Sequence, residues 1–188
     1  MSEKKQPYSG VKTIVFPSMF GYLSCTINTA GCIIRLTISP TDSTVGESPG
    51  ELLLLSESHT TGPADQCMDN RFESAFKQID EYIAGRRTAF DVRICTHGTP
   101  FQKAVWNCLS TIPYGETTTY SEIANRLQKP GAARAVGNAV KANPLLILIP
   151  CHRVLPKSGG IGDFSAGAAV KQALLDHEKS VIQASPSG

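Results

Sequence analysis

The stretch that decides the fold is Thr119–Pro144, TYSEIANRLQKPGAARAVGNAVKANP. Thr119, with Glu122 three residues later, has the form of a capping box, in which each side chain accepts from the backbone N–H of the other residue. It opens a helix that turns Ile123, Ala124 and Leu127 inward. Gln128-Lys129-Pro130-Gly131 ends that helix, because proline removes a donor and glycine tolerates a left-handed backbone. A second helix is predicted from Ala132 to Ala142, stopped by Asn143-Pro144. Two short helices joined by a tight glycine-containing turn form a helix-turn-helix signature, a pattern that an ordinary helical hairpin also satisfies.

The second helix has an unusual composition. Arg134, Asn138 and Lys141 share one face and Ala132, Val136 and Val140 another, with Ala133, Ala135, Gly137 and Ala139 between them. Gly137 costs about 1 kcal/mol relative to alanine in a helix interior. The gain is a slim helix whose backbone can approach a groove closely; tight packing on another helix is the competing explanation.

Immediately beyond it the apolar run Ile147-Leu148-Ile149 reads as a strand, driving through Pro150 into Cys151-His152-Arg153-Val154. A thiolate is a good nucleophile and a thiol a poor one, and a neighbouring histidine and cation are the residue types that depress a thiol pKa. Neighbours on an extended chain point to opposite faces, so His152 reaches the thiol only across a bend or through a water. An imidazole that activates a cysteine needs a third group to orient it, and Asp163, Asp176 and Glu178 all qualify on residue type. Lys157–Gly167 is glycine-rich without the spacing of a phosphate-binding loop, so it reads as a lid or pocket wall. Ala168 to Glu178 follows as a helix, with Val170, Ala173, Leu174 and His177 placed to pack, and the tail 179–188 is expected to fray.

On the other side, Phe101, Val105 and Leu109 mark a helix ending before Pro113-Tyr114-Gly115, with Trp106 assigned to packing. Residues 86–98 form a linker containing an extended piece from Phe90 to Cys95. Cys67 to Gly85 carries Phe72, Ala75, Phe76, Ile79 and Ile83 at helical spacing. Residues 39–66 are polar around a short Leu52–Leu55 run and read as a loop. Residues 11–38 alternate, with turn signals at Gly21 and Ala30-Gly31 and a break at Pro17, and read as two or three antiparallel strands. The expectation is an α+β protein: a small N-terminal module (1–96) with an antiparallel sheet, then a mostly helical C-terminal domain (97–188) containing the helix-turn-helix.

Charge follows the same division. Residues 1–96 hold nine Lys and Arg against eleven Asp and Glu, whereas residues 97–178 hold eight against five. From Ile123 to Gly162 there is no acidic residue, while Arg126, Lys129, Arg134, Lys141, Arg153 and Lys157 all fall there. A one-sign stretch on one compact segment suits a polyanionic partner. No apolar run approaches the length of a membrane span, and MSEKKQPYSG has no apolar core, so an intracellular protein without a signal peptide is expected. In that setting the six cysteines are expected as thiols. Cys25 and Cys32 are too widely spaced for a usual zinc pair and no paired histidines occur, so no metal is expected.

The run Pro150-Cys151-His152-Arg153-Val154, preceded by Arg134-Ala135-Val136-Gly137 and Asn143-Pro144, resembles the O6-alkylguanine-DNA alkyltransferases, also called methylated-DNA–protein-cysteine methyltransferases. Phe101-Gln102, Val105-Trp106, Ile112-Pro113-Tyr114-Gly115 and Thr119-Tyr120 are in register, so the resemblance runs from about Thr99 to Glu178. It implies a single-turnover, cofactor-free enzyme of DNA repair in which Cys151 takes the alkyl group from O6-alkylguanine, and from O4-alkylthymine, and is thereby consumed. It implies that His152 helps deprotonate the thiol through a water, that Glu178 orients His152, that Asn143 braces the chain before the cysteine, and that Tyr120 donates to the departing guanine. Arg134 would replace the flipped nucleotide, with Ala133, Asn138, Lys141, Thr119 and Arg153 completing a sequence-independent minor-groove contact. Leu146, Ile149, Gly162, Phe164 and Ser165 would line the base pocket; Phe164 stands where many relatives have tyrosine and Leu146 where some have proline. The implied partner is double-stranded DNA bound by a monomer, in the nucleus of a eukaryote or the cytoplasm of a bacterium. The competing classes are a non-catalytic lesion-binding module, which the cysteine argues against, and a helix-turn-helix regulator, for which three polar side chains on one helix are few.

Overall fold

A computed structural model describes the backbone of residues 11–39, 53–55 and 63–184, with side chains in the first helix from Glu73 onward. Strands β1 (Val11–Ser18), β2 (Gly21–Asn28) and β3 (Ile33–Ser39) follow one another as antiparallel neighbours, and β4 (Leu53–Leu55) pairs with the other side of β1, giving the order β3-β2-β1-β4. Alternation led to an expectation of two or three strands, and three are present. Pro17 does not break β1; it is paired with Tyr22 near the strand end, beyond the stretch that β4 covers. Leu53–Leu55 is a strand inside the segment expected as loop, most of which lies outside the described residues.

Helix α1 (Pro63–Ile83) starts before the expected Cys67 and packs Ala75, Ile79 and Tyr82 into the core, with Phe76 edge-on to Phe16 at 4.8 Å between ring centres. Gly85, at φ 71°, ends the run as its sequence position suggested. The linker then returns to the sheet: the Ile33 N–H donates to Arg93 O (2.8 Å) and the Cys95 N–H to Ile33 O (2.9 Å). Further along β3, the Leu36 N–H donates to Pro144 O and the Leu146 N–H to Leu36 O, both at 2.9 Å. The edge of the N-terminal sheet therefore holds both the linker and the chain that leads into Cys151.

Helices α2 (Pro100–Leu109), α3 (Tyr120–Arg126) and α4 (Ala133–Lys141) make the first part of the C-terminal half. Both α2 and α3 open on complete capping boxes, Thr99 with Gln102 and Thr119 with Glu122. Trp106 is buried and its indole N–H donates to Ala139 O at 2.8 Å, supplying a donor to a carbonyl in the last turn of α4. The turn between α3 and α4 runs through left-handed Gln128 (φ 55°) and Gly131 (φ 89°). Val136, Ala139 and Val140 face the core, while Arg134, Asn138 and Lys141 are exposed. A short parallel pair, β5 (Thr118–Thr119) with β6 (Val154–Leu155), ties the start of α3 to the chain after the cysteine.

The run Ile147–Ile149 is not a strand. Leu148 N–H donates to Leu146 O (2.8 Å) around Ile147 at φ 69°, a three-residue turn that β-branched side chains rarely enter. Pro150, at φ −78° and ψ 63°, centres a second such turn closed by Cys151 N–H to Ile149 O (2.7 Å), and Cys151–Arg153 is a single 3₁₀ turn. An apolar run buried on all sides looks the same in sequence whether it is extended or folded back. The last helix, α5 (Ala168–Ala184), continues past the expected end at Glu178, so residues 179–184 are ordered helix rather than a frayed tail. Among the described residues Cys25, Cys32, Cys95, Cys108 and Cys151 are free thiols, and no helix is long and apolar enough to cross a membrane.

One feature of α4 has a measurable consequence. A Cβ added to Gly137 would meet only the Tyr120 ring, at an ordinary 3.9 Å. Nothing in the described structure demands glycine there, so Gly137→Ala should stabilise the free protein by about 1 kcal/mol, read as a higher urea midpoint.

Candidate active site

Cys151 lies at the bottom of an open cavity of about 660 Å³, whose wall is formed by α4 (Ala133, Arg134, Gly137, Asn138, Lys141), Tyr120 at the start of α3, and the loop Pro156–Ser165. The thiol is buried, at 1% exposure. Asn143 holds the chain around it: its Nδ2 donates to Ile149 O (2.8 Å) and to Cys151 Sγ (3.0 Å), while its Oδ1 accepts from the Leu145 N–H (3.0 Å). The folded-back run therefore has its carbonyls satisfied by a side chain, as a buried irregular backbone requires.

Behind the cysteine is a charged cluster closed to water. Glu178 has no exposed surface, and its carboxylate accepts from Tyr82 Oη (2.8 Å), His152 Nε2 (2.9 Å), Arg153 Nη2 (2.8 Å) and Nε (3.0 Å), and the Gly115 N–H (2.9 Å). Burial alone would raise the Glu178 carboxyl; the hydrogen bonds and charges of His152 and Arg153 outweigh it and bring it down to about 2. Burial, aided by the charges of Arg153 and Lys171, lowers His152 despite the attraction of Glu178. The ring is thus neutral, and because an ionised carboxylate can only accept, its proton sits on Nε2. Nδ1 is buried with no hydrogen-bond partner among the described residues, which leaves its lone pair free to act as a base.

The thiol itself contradicts the expectation of a depressed pKa. Burial pushes Cys151 up to about 11, although the Asn143 bond, the Lys171 charge and the backbone N–H groups of Cys151 and His152 pull it down. A thiol in this state is inert until a base removes its proton. Lys171, fully buried on α5 with Nζ donating to Val154 O (2.7 Å), faces that thiol electrostatically. Tyr120 is raised by burial and by the charges of Asp163 and Cys151, so it remains a phenol able to donate into the cavity.

Several expected residues converge. Cys151, Tyr120, Ala133, Arg134, Asn138, Lys141, Gly162, Phe164 and Ser165 share the cavity, and His152, Glu178 and Asn143 back it. Thr119 caps α3 beside it. Three placements are corrected. Arg153 is not on the DNA-facing surface: it is buried, paired with Glu178, bonded to Ile112 O (2.6 Å) and set over the Tyr114 ring. Leu146 and Ile149 are core residues behind the cysteine and do not line the cavity, because the chain folds back at Ile147. Of the other candidates for orienting His152, Asp163 lines the cavity and Asp176 pairs with Gln172. Sequence reasoning missed Lys171 and Tyr82. Lys171 had a signal, since it stands seven residues before Glu178 and shares its helical face with Leu174 and Leu175. Among the described residues no group of three or more His, Cys, Asp or Glu is placed to hold a metal ion.

Comparison with known proteins bears on this geometry. Residues 100–180 match the model of the 6-O-methylguanine DNA methyltransferase, DNA binding domain. Over 111 residues the chain is 49% identical to an inducible methylated-DNA–protein-cysteine methyltransferase of Bacillus subtilis, a match spanning 59% of this chain but 62% of that protein. The crystal structure of a Mycobacterium tuberculosis O6-methylguanine methyltransferase superposes with a TM-score of 0.72 at 34% identity, covering 95% of this chain and 96% of the other. A crystal structure of the Mycobacterium tuberculosis protein OGT in complex with DNA gives 0.69 at 36% identity, covering 92% and 94%.

The cluster sets how stability depends on pH. Glu178 is held below its ordinary 4.5, so between about 4.5 and 2 the unfolded chain binds a proton that the folded one does not. The Glu178 contribution is full above that window and falls as pH drops through it. His152, also lowered from its ordinary 6.5, acts in the same direction at higher pH. The melting temperature should therefore fall in two stages on acidification, the first below about 6.5 and the second below about 4.5. Glu178→Gln should shrink the second stage, to which Glu81 and Glu122 also contribute, and, by stranding Arg153, cost on the order of 3–5 kcal/mol at neutral pH; calorimetry across pH checks both.

Proposed function

The chain belongs to the O6-methylguanine-DNA methyltransferase family, and on that premise we propose that it repairs alkylated DNA by moving the alkyl group from O6 of guanine, or O4 of thymine, to Cys151. The observation that carries this reading is the Glu178–His152 pair, with His152 Nδ1 unpartnered among the described residues, next in sequence to a Cys151 that lines a cavity open toward α4. The thiol proton passes to His152 Nδ1 through a bridging water. The sulfur attacks the alkyl carbon and the carbon–O6 bond breaks. The negative charge left on the base is stabilised by a hydrogen bond from the Tyr120 O–H, and the proton that left the thiol for His152 neutralises the base through solvent. The sulfur–carbon bond of the product is a stable thioether, so each protein acts once and no cofactor is required.

DNA reaches the cavity across α4. The O6 atom lies within the duplex, so the base must be flipped out at a cost of a few kcal/mol. Arg134, exposed at the rim, fills the gap it leaves, and Asn138, Lys141 and Lys157 supply sequence-independent attraction to phosphates. Gly137 fits this use: the protein tolerates a methyl there, and the close approach of a groove gives glycine its reason. Residues 97–188 act as the DNA-binding and acceptor part and residues 1–96 as its structural support, in whichever compartment holds the DNA.

Intact-mass measurement tests this. After incubation with duplex carrying O6-methylguanine, the protein should gain one methyl in place of one proton, on Cys151 and at most once per chain. Cys151→Ala should bind the duplex with unchanged affinity and gain nothing. Arg134→Ala should slow repair of duplex more than it slows reaction with free O6-methylguanine base. Binding without mass gain by the wild type would leave only a lesion-binding module.

A further inference from the structure

Glu178 receives one bond from far outside the helical half. Tyr82 stands near the end of α1, has no exposed surface, and places its hydroxyl 2.8 Å from Glu178 Oε1 across 96 residues of sequence. That oxygen is the one that accepts from His152 Nε2 and Arg153 Nη2. The direction of the phenol is fixed by packing: Phe90 lies tilted at 5.4 Å, Tyr114 edge-on at 5.9 Å and His177 at 5.6 Å between ring centres. His177 also bonds Tyr82 O (2.8 Å), which anchors the backbone of that turn. A phenylalanine would fill the same apolar space, so the hydroxyl has no packing reason to be present. Burial and the charge of Glu178 keep the phenol protonated, well above its usual range, and hence always a donor.

The groups facing the pair and the phenol are Tyr82 from α1, Tyr114 from the turn after α2, Arg153 from the 3₁₀ turn, and Lys171 and His177 from α5. Among them Tyr82 is a neutral donor to the same carboxylate oxygen as the imidazole. It draws negative charge away from the His152 N–H and adds to the Arg153 and Gly115 bonds that orient the carboxylate. Resting on the alkyl-transfer reading, we propose that Tyr82 is a positioning residue through which the N-terminal half sets the orientation and basicity of the Glu178–His152 pair.

The test is single-turnover alkyl transfer by full-length Tyr82→Phe on saturating O6-methylguanine duplex, followed across pH, with DNA affinity measured separately. Losing the donor leaves more charge on Oε1, which stabilises the imidazolium. The acid limb of the rate profile should therefore move to higher pH by about one unit, the plateau rate should fall about tenfold, and DNA affinity should not change. A folded variant whose limb and plateau coincide with wild type overturns the proposal. If Tyr82→Phe does not fold, 3-fluorotyrosine at position 82 keeps the ring and strengthens the donor. The limb should then move to lower pH, and an unmoved limb overturns the proposal. Wild-type protein that transfers no alkyl group would sink the underlying reading, and with it this role; transfer by wild type with no response at Tyr82 sinks only the latter.

Discussion

A carboxylate with no access to water holds this molecule together. An isolated buried charge is prohibitively unstable, so Glu178 obliges the chain to bring it donors. Three regions comply, around a Glu178 carried by α5: α1 sends Tyr82, the turn after α2 sends the Gly115 N–H, and the 3₁₀ turn sends His152 and Arg153. Arg153 balances the charge, which explains why a basic residue in the most basic segment of the chain faces inward. The arrangement that makes the fold cohere is also the one that sets the tautomer of His152, so stability and chemistry depend on the same atoms.

The cysteine is kept in reserve by this design. Its burial favours the thiol, and the chain leading to it is folded through a left-handed Ile147 that costs on the order of 1–3 kcal/mol. Asn143 and the edge of β3 hold that strained run in place. A buried neutral thiol resists stray oxidation and metals, and it becomes a nucleophile only when the base beside it takes the proton. On the proposed single-turnover reaction, that selectivity spares the acceptor for its substrate.

Much of this was legible in the residues because the punctuation was local. The capping box at Thr119, the break at Pro130-Gly131 and the stop at Asn143-Pro144 place the helices through backbone chemistry that acts within a few residues. Alternation likewise located β1 to β3. What failed was long-range or multivalent. Ile147–Ile149 is buried on every side, so its composition cannot distinguish a strand from a turn closed on itself. Arg153 was assigned to DNA because its neighbours in sequence are basic, but its partner Glu178 is 25 residues away. Tyr82 was passed over on α1, because its hydroxyl acquires meaning only from a residue 96 positions on. The length of α5 was underestimated because Lys179 and Ser180 carry no stop signal that differs from an exposed helical turn. The choice of Glu178 over Asp163 and Asp176 came from family resemblance, and the geometry now supplies its reason.

The most direct test is the ionisation of Cys151 in the free protein, read as ultraviolet thiolate absorbance in wild type minus Cys151→Ser. The account predicts no thiolate from this residue at neutral pH, with absorbance appearing only toward about pH 11. A Cys151 thiolate already present at neutral pH in the DNA-free protein would contradict it, because His152 and Glu178 would then have no proton to move.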